Sequence, residues 1–210
     1  DAKTGEILAM VSAPDFNPND RAQLKSARFR NRSIADSFEP GSTVKPFTIA
    51  MAMDEGVVSA QSKIETDGQL YIGRNSISDT KNYGLITVAE VIEKSSNIGS
   101  AKIAMMMEPR DLYKTHRKLG FGQTNNLKLQ GEQKGILANR KHWKPIEHAT
   151  LSYGYGLSVN TLQLARAYQA LANKGVMLEV SLHPVAKIPA GERVFSEQTV
   201  DQVNLMLEAA

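Results

Sequence analysis

Eight residues, Pro46-Phe47-Thr48-Ile49-Ala50-Met51-Ala52-Met53, constrain this chain most, because they are apolar around nearly the whole turn of a helix. A helix with no solvent face has to be buried, so this one is expected at the centre of the fold. Pro40-Gly41 punctuates the chain just before it, and Pro46 suits a first turn, where amide hydrogens have no intrahelical partner. The helix is expected from about Thr43 to Glu55, stopped by Gly56. Ser42 then stands at its N-terminus, with Lys45 three residues on along the same face. A hydroxyl is thereby set beside an amine able to take its proton, and serine needs such a base to become a good nucleophile. The helix dipole and free N–H groups point at negative charge forming on an attacked carbonyl. The arrangement suits acyl transfer.

Standing alone, S-x-x-K is a weak signal, since the pattern arises by chance and a serine at a helix start commonly serves as a cap. Bulk properties narrow the alternatives. The 210 residues suffice for one domain with a sizeable core, and 41% hydrophobic with 22% charged residues is globular composition. A net charge of +3 names no dominant electrostatic partner. The densest basic patch, Arg28-Phe29-Arg30-Asn31-Arg32, reads as a solvated surface segment, and no nucleic-acid partner is expected. Absence of cysteine removes disulfides, thiolate metal sites and a Cys nucleophile. His116, His142, His148 and His183 match no metal-ligand spacing, so no metal is expected. The glycine pairs at Gly120/Gly122 and Gly154/Gly156 are too short for a dinucleotide fingerprint.

Along the chain, Asp1 to Gly5 reads as a turn ahead of a strand, Glu6 to Val11, as if the chain began inside a hairpin. A polar segment with short strand-like pieces runs to Tyr83. Thr87 and Glu90 form a capping box opening a helix that ends at Lys94. Ser95-Ser96-Asn97 breaks the chain before another apolar helix, Ile98 to Met107, in which Met105-Met106-Met107 reads as core filler. Pro109 restarts a helix that Gly120 and Gly122 end. Residues 123–148 read as an irregular surface excursion carrying the single Trp143. The loop Ser152-Tyr153-Gly154-Tyr155-Gly156 leads to an amphipathic helix, Thr161 to Asn173, and its tyrosines either line a groove or pack the loop. Val176 to Ile188 is expected to be extended, and Ser196 caps a final helix.

Two spaced motifs therefore stand together, Ser42-Thr43-Val44-Lys45 and Ser95-Ser96-Asn97. In isolation the second reads as a polar interhelical turn. In this order, roughly fifty residues apart, the pair resembles the penicillin-binding proteins and serine β-lactamases. The likeness is narrower still at Asp1 to Met10, Asn31 to Asp36, Phe38-Glu39-Pro40-Gly41-Ser42, Lys94 to Asn97, and Tyr153 to Gly156 followed by Gln163-Leu164-Ala165-Arg166. Over essentially its whole length the chain resembles class B penicillin-binding proteins, and among them the septal, division-specific transpeptidases.

That resemblance implies an α/β (α+β) fold, an antiparallel sheet flanked by helices plus a mostly helical subdomain. It implies that Ser42 is the acyl-ester nucleophile, Lys45 its base, Ser95 a proton relay to the leaving amine, and Asn97 a binder of the donor peptide's amide. Lys3-Thr4-Gly5 precedes the nucleophile and is a decoy for the family's third motif, K-[ST]-G. On this reading residues 1–210 are a partial transpeptidase domain, its C-terminal strands and third motif lying beyond Ala210, and its activity alone impaired. No cofactor is implied. The implied partners are peptidoglycan stem peptides and β-lactams, with division proteins and an N-terminal inner-membrane anchor in the longer protein, the catalytic domain facing the periplasm. Two alternatives remain, a β-lactam sensor domain and a serine β-lactamase. Against the latter, Glu147-His148-Ala149-Thr150-Leu151 does not match a deacylating E-x-x-L-N loop.

Overall fold

A computed structural model describes residues 1–20, 22 and 27–210. Eight α-helices are present among these residues: α1 (Arg32–Ala35), α2 (Lys45–Asp54), α3 (Val88–Glu93), α4 (Asn97–Ala104), α5 (Pro109–Lys118), α6 (Pro145–Leu151), α7 (Thr161–Ala172) and α8 (Glu197–Glu208). Six short strands join them: β1 (Lys63–Glu65), β2 (Gln69–Ile72), β3 (Asn75–Ser78), β4 (Leu85–Thr87), β5 (Val176–Met177) and β6 (Glu192–Arg193). Pairing is antiparallel throughout, in three ladders of two strands each, β1 with β4, β2 with β3 and β5 with β6. The result is the expected mixture of helices and antiparallel strands.

The apolar run does form the central helix. Every residue of α2 from Lys45 to Ala52 is buried, and α2 packs against α4, α5 and α8. Its backbone satisfies itself, so complete burial leaves few polar groups stranded. The last residue of α2, Asp54, holds the start of α8: it accepts the Ser196 N–H (2.9 Å), the Ser196 hydroxyl (2.7 Å) and the Thr199 hydroxyl (2.5 Å). Ser196 itself accepts the Thr199 N–H at 3.1 Å, the cap expected from sequence. The capping box also forms as expected, Thr87 taking the Glu90 N–H and Glu90 taking the Thr87 N–H.

Three expectations need correction. The opening strand does not form. Only Glu6 makes a bridge, parallel to Ser181, and Leu8 and Val11 lie in solvent. Met105 and Met106 are exposed at the end of α4, where the chain turns away, and only Met107 enters the core. The excursion ends early, because Pro145 opens α6 and puts His148 and Ala149 inside. In the basic patch, Arg30 and Arg32 both close on Asp36, at 2.5 and 3.0 Å, so much of its charge is neutralised locally.

Candidate active site

Ser42 lies in a 3-10 turn, Gly41–Val44, that runs straight into α2. Its carbonyl accepts the Lys45 N–H, placing the exposed serine one turn ahead of a lysine that is 2% exposed. Two further contacts shape this turn: the Thr43 hydroxyl donates to the Pro40 carbonyl at 2.8 Å, and the Tyr168 hydroxyl on α7 donates to the Thr43 carbonyl at 2.9 Å.

The second motif meets the first. The Lys45 ammonium donates to the Ser95 hydroxyl at 3.0 Å and to the Ser95 carbonyl. Burial depresses the Lys45 pKa to about 8, against the opposing pull of Asp79, which favours the charged form. A lysine so placed is neutral in a usable fraction near neutral pH, as a general base must be. Ser95 adopts a left-handed backbone conformation, φ +54°, which costs a non-glycine residue stability unless its surroundings hold it there. Ser96 caps α4 by accepting the Gly99 N–H at 2.8 Å, and Asn97 begins α4 with its side-chain amide donating to the Ser78 carbonyl at 3.4 Å. Lys45 and Ser95 thus meet directly, with Ser42 one turn before Lys45 and Asn97 two residues beyond Ser95. Neighbouring Lys94 points elsewhere, to Glu90 at 3.1 Å.

Behind the motifs runs a buried strut. The Thr48 hydroxyl on α2 and the Ser100 hydroxyl on α4 each donate to the Ser152 carbonyl at 2.9 Å. Thr48 is three residues after Lys45 and Ser100 three after Asn97, so each motif is tied to the end of α6 on its own helix face. The loop after Ser152 reaches the residues just before Ser42: the Gly41 N–H donates to the Gly154 carbonyl at 3.1 Å, and the Gly156 N–H to Glu39 at 2.9 Å. Of the two tyrosines left open above, Tyr153 is buried and packs the loop, while Tyr155 is half exposed, its ring centroid 5.7 Å away. Hydroxyls at three-residue spacing from each motif, inside apolar helices, are the signal that could have found the strut. Asp79 carries no such signal, being one acidic residue among several in a polar stretch.

Glu147 takes the Lys144 N–H at 3.1 Å and pairs with Arg140 at 3.5 Å, so its carboxylate is used in starting α6. Among the described residues no cluster of His, Cys, Asp or Glu could hold a metal ion, and no helix is long and apolar enough to cross a membrane.

Comparison with known proteins identifies the family. The family model described as the penicillin binding protein transpeptidase domain matches residues 1–210. A Neisseria meningitidis protein named probable peptidoglycan D,D-transpeptidase PenA is 42% identical over 209 residues, 99% of this chain and 36% of its own. The Escherichia coli protein named peptidoglycan D,D-transpeptidase FtsI is 41% identical, over 100% of this chain and 35% of its own. The chain therefore spans about a third of the length of the curated relatives it matches. A solved structure, the apo transpeptidase domain of Burkholderia pseudomallei penicillin-binding protein 3, superposes with a TM-score of 0.89 at 41% identity, covering 100% of this chain and 60% of that one. With the Ser42 turn running into α2 and its buried lysine joined to the serine-asparagine turn, the chain belongs to the penicillin-binding-protein transpeptidase family, on the class B branch of its FtsI and PenA relatives.

Proposed function

We propose that this chain carries the nucleophile of a peptidoglycan D,D-transpeptidase that cross-links stem peptides at the division septum. The observation that carries the reading is the buried Lys45, its pKa lowered to about 8 and its ammonium hydrogen-bonded to Ser95. Neutral Lys45 takes the proton of the Ser42 hydroxyl as the oxygen attacks the carbonyl between the two terminal D-alanines of a donor stem. The C–N bond then breaks, and the proton passes through Ser95 to the departing amine. An amine on a neighbouring stem attacks the ester, forms the cross-link and returns a proton to Ser42. The Ser42 N–H, at a helix start, supplies one oxyanion donor, and Asn97 holds the donor peptide's amide.

A β-lactam follows the same first step, but its amine stays tethered after ring opening, so the acyl-enzyme persists. The relatives named FtsI and PenA support a place in cell-wall synthesis. Division proteins as partners, an inner-membrane anchor outside these residues and a periplasmic catalytic domain complete the reading.

Intact-mass spectrometry after incubation with benzylpenicillin tests it. One adduct of the whole β-lactam mass is expected, absent from Ser42→Ala. Its rate of formation should rise with pH through about 8, as Lys45 loses its proton. An adduct that survives in Ser42→Ala, or no adduct on a folded longer polypeptide that carries the third motif, rejects the reading.

A further inference from the structure

The Ser95 turn is held from outside both motifs. Asp79 follows β3, and its carboxylate accepts three hydrogen bonds from the residues just after Ser95: the Ser96 hydroxyl at 2.5 Å, the Asn97 N–H at 2.5 Å and the Ile98 N–H at 3.1 Å. The last two are among the amide hydrogens at the start of α4 that lack an intrahelical partner, and an anion is favoured there by the helix dipole as well. Four residues on, the Tyr83 hydroxyl donates to the Lys94 carbonyl at 3.3 Å, gripping the other side of the same turn. Ser95 thus sits between two anchors, in a backbone conformation that its own residue type disfavours. Its hydroxyl and its carbonyl both face the Lys45 ammonium, so a small rotation of the turn would break that contact.

We propose that Asp79 is a positioning residue for the acyl-transfer site, fixing the turn that presents Ser95 to Lys45 and sets Asn97 at the head of α4. The inference rests on the acyl-enzyme reading given above. Asp79 acts through its neighbours, and its carboxylate also bears electrostatically on Lys45 as the charged group acting there. The two effects separate by substitution. Asparagine keeps an oxygen acceptor for the two amide hydrogens but removes the charge, whereas alanine removes both.

The fold contains its own control. Asp54 makes the same three-bond grip on the start of α8, accepting one N–H and two hydroxyls, without touching either motif. If Asp79 only stabilised a helix start, Asp79→Ala and Asp54→Ala would behave alike. The test is the second-order rate of benzylpenicillin acylation at Ser42 in the intact protein, measured from pH 6 to pH 10 for the parent, Asp79→Ala, Asp79→Asn and Asp54→Ala. Asp79→Ala should slow acylation about 100-fold, the scale of a small misplacement of a reacting group. Asp54→Ala should keep the parent rate while losing comparable thermal stability. Asp79→Asn should recover most of the rate, and its rising limb should move to lower pH, because loss of the negative charge makes Lys45 easier to deprotonate.

Equal rates for Asp79→Ala and Asp54→Ala overturn the proposal. Should Asp79→Ala fail to fold, Ser96→Ala, which removes one of the three bonds to Asp79, takes its place, and acylation at the parent rate then overturns the proposal. A parent that is never labelled refutes the acyl-enzyme reading, and this inference falls with it, whereas a labelled parent with an indifferent Asp79 refutes the inference alone.

Discussion

α2 and the opening stretch are both largely apolar, yet they meet opposite fates. From Lys45 to Ala52 every α2 residue is buried, whereas in the stretch from Glu6 to Val11 Leu8 is 75% exposed and Val11 83% exposed. The difference lies in the backbone. A helix closes its own hydrogen bonds and can be buried on every side. An extended segment must borrow a partner for each N–H and C=O, and unpaired groups cannot leave water cheaply. Its one backbone partner from another part of the chain is Ser181, which exchanges bonds of 2.8 and 2.9 Å with Ile7 and Gly5, and the Val11 carbonyl takes only the Ser33 hydroxyl at 3.3 Å. It then runs along one side of a groove of about 410 Å³ facing Ala165, Arg166 and Tyr168 of α7. Apolar content thus says that a segment prefers burial, while the supply of backbone partners decides whether it is buried.

That contrast would break most violently at Gly154. Its φ is +88°, and a Cβ there would lie 2.1 Å from the Gly41 carbonyl oxygen and 2.4 Å from the Gly41 nitrogen, both backbone atoms with no room to give. Gly154→Ala must therefore push the loop off the residue that precedes Ser42. A loss of about 4 kcal/mol or more is expected by denaturant unfolding, from a steric clash joined to backbone strain. β-Lactam labelling of Ser42 should collapse even under conditions where the variant remains folded. If the variant loses under about 1 kcal/mol and still labels, the grip between these loops is loose and the contrast drawn above overstates how fixed the buried side is.

A second, smaller break lies in α5. His116 is fully buried beside Phe121, with neither ring nitrogen hydrogen-bonded, and burial pushes its pKa down to about 3. The unfolded chain takes up this proton near pH 6.5, so between about 6.5 and 3 the unfolded state binds more protons. The stability tied to a neutral His116 is full above about 6.5 and is lost as pH falls toward 3, at up to about 1.4 kcal/mol per pH unit. Exposed carboxylates add their own acid dependence, so the useful quantity is a difference. His116→Leu should gain on the parent steadily as unfolding is followed from pH 7 to pH 4. Parallel curves would mean that water or a partner reaches the ring.

What could be read from the residues follows the same division. Six of the eight described helices were legible, all but α1 and α6, since their signals are local: Pro46 and Gly56 around α2, the Thr87/Glu90 box, Pro109 opening α5, Gly175 after α7 and Ser196 before α8. Ser42, Lys45, Ser95 and Asn97 could be named because short motifs carry them, and the contact between Lys45 and Ser95 across fifty residues followed from the family resemblance, beyond anything local. Illegible were the features set by distant backbone. The Glu6 stretch has a strand's pattern but lacks a strand's partners. Met105 and Met106 have core chemistry, but α4 ends at Ala104. Asp79 has an ordinary acidic neighbourhood in sequence and acquires its role only when β3 comes to lie against α4.

The smallest expected effect sharpens the contrast from the exposed side. Leu8→Ser and Val11→Ser each exchange a large apolar side chain for a polar one on a segment that gives it little cover. Burying such a side chain fully would be worth about 1.5–3 kcal/mol, so at this exposure little of that is at stake. Each substitution should change stability by under about 0.5 kcal/mol in the 210-residue chain, measured by denaturant unfolding beside Val91→Ser, a fully buried position of α3 expected to lose several times more. Repeating Leu8→Ser and Val11→Ser in a longer polypeptide then separates two causes of the exposure. Unchanged small losses would mean that the stretch is intrinsically a surface segment. Losses rising toward the Val91→Ser value would mean that further chain supplies the strand partner that Ser181 alone does not, and that the opening stretch differs from α2 only in finding its hydrogen bonds later.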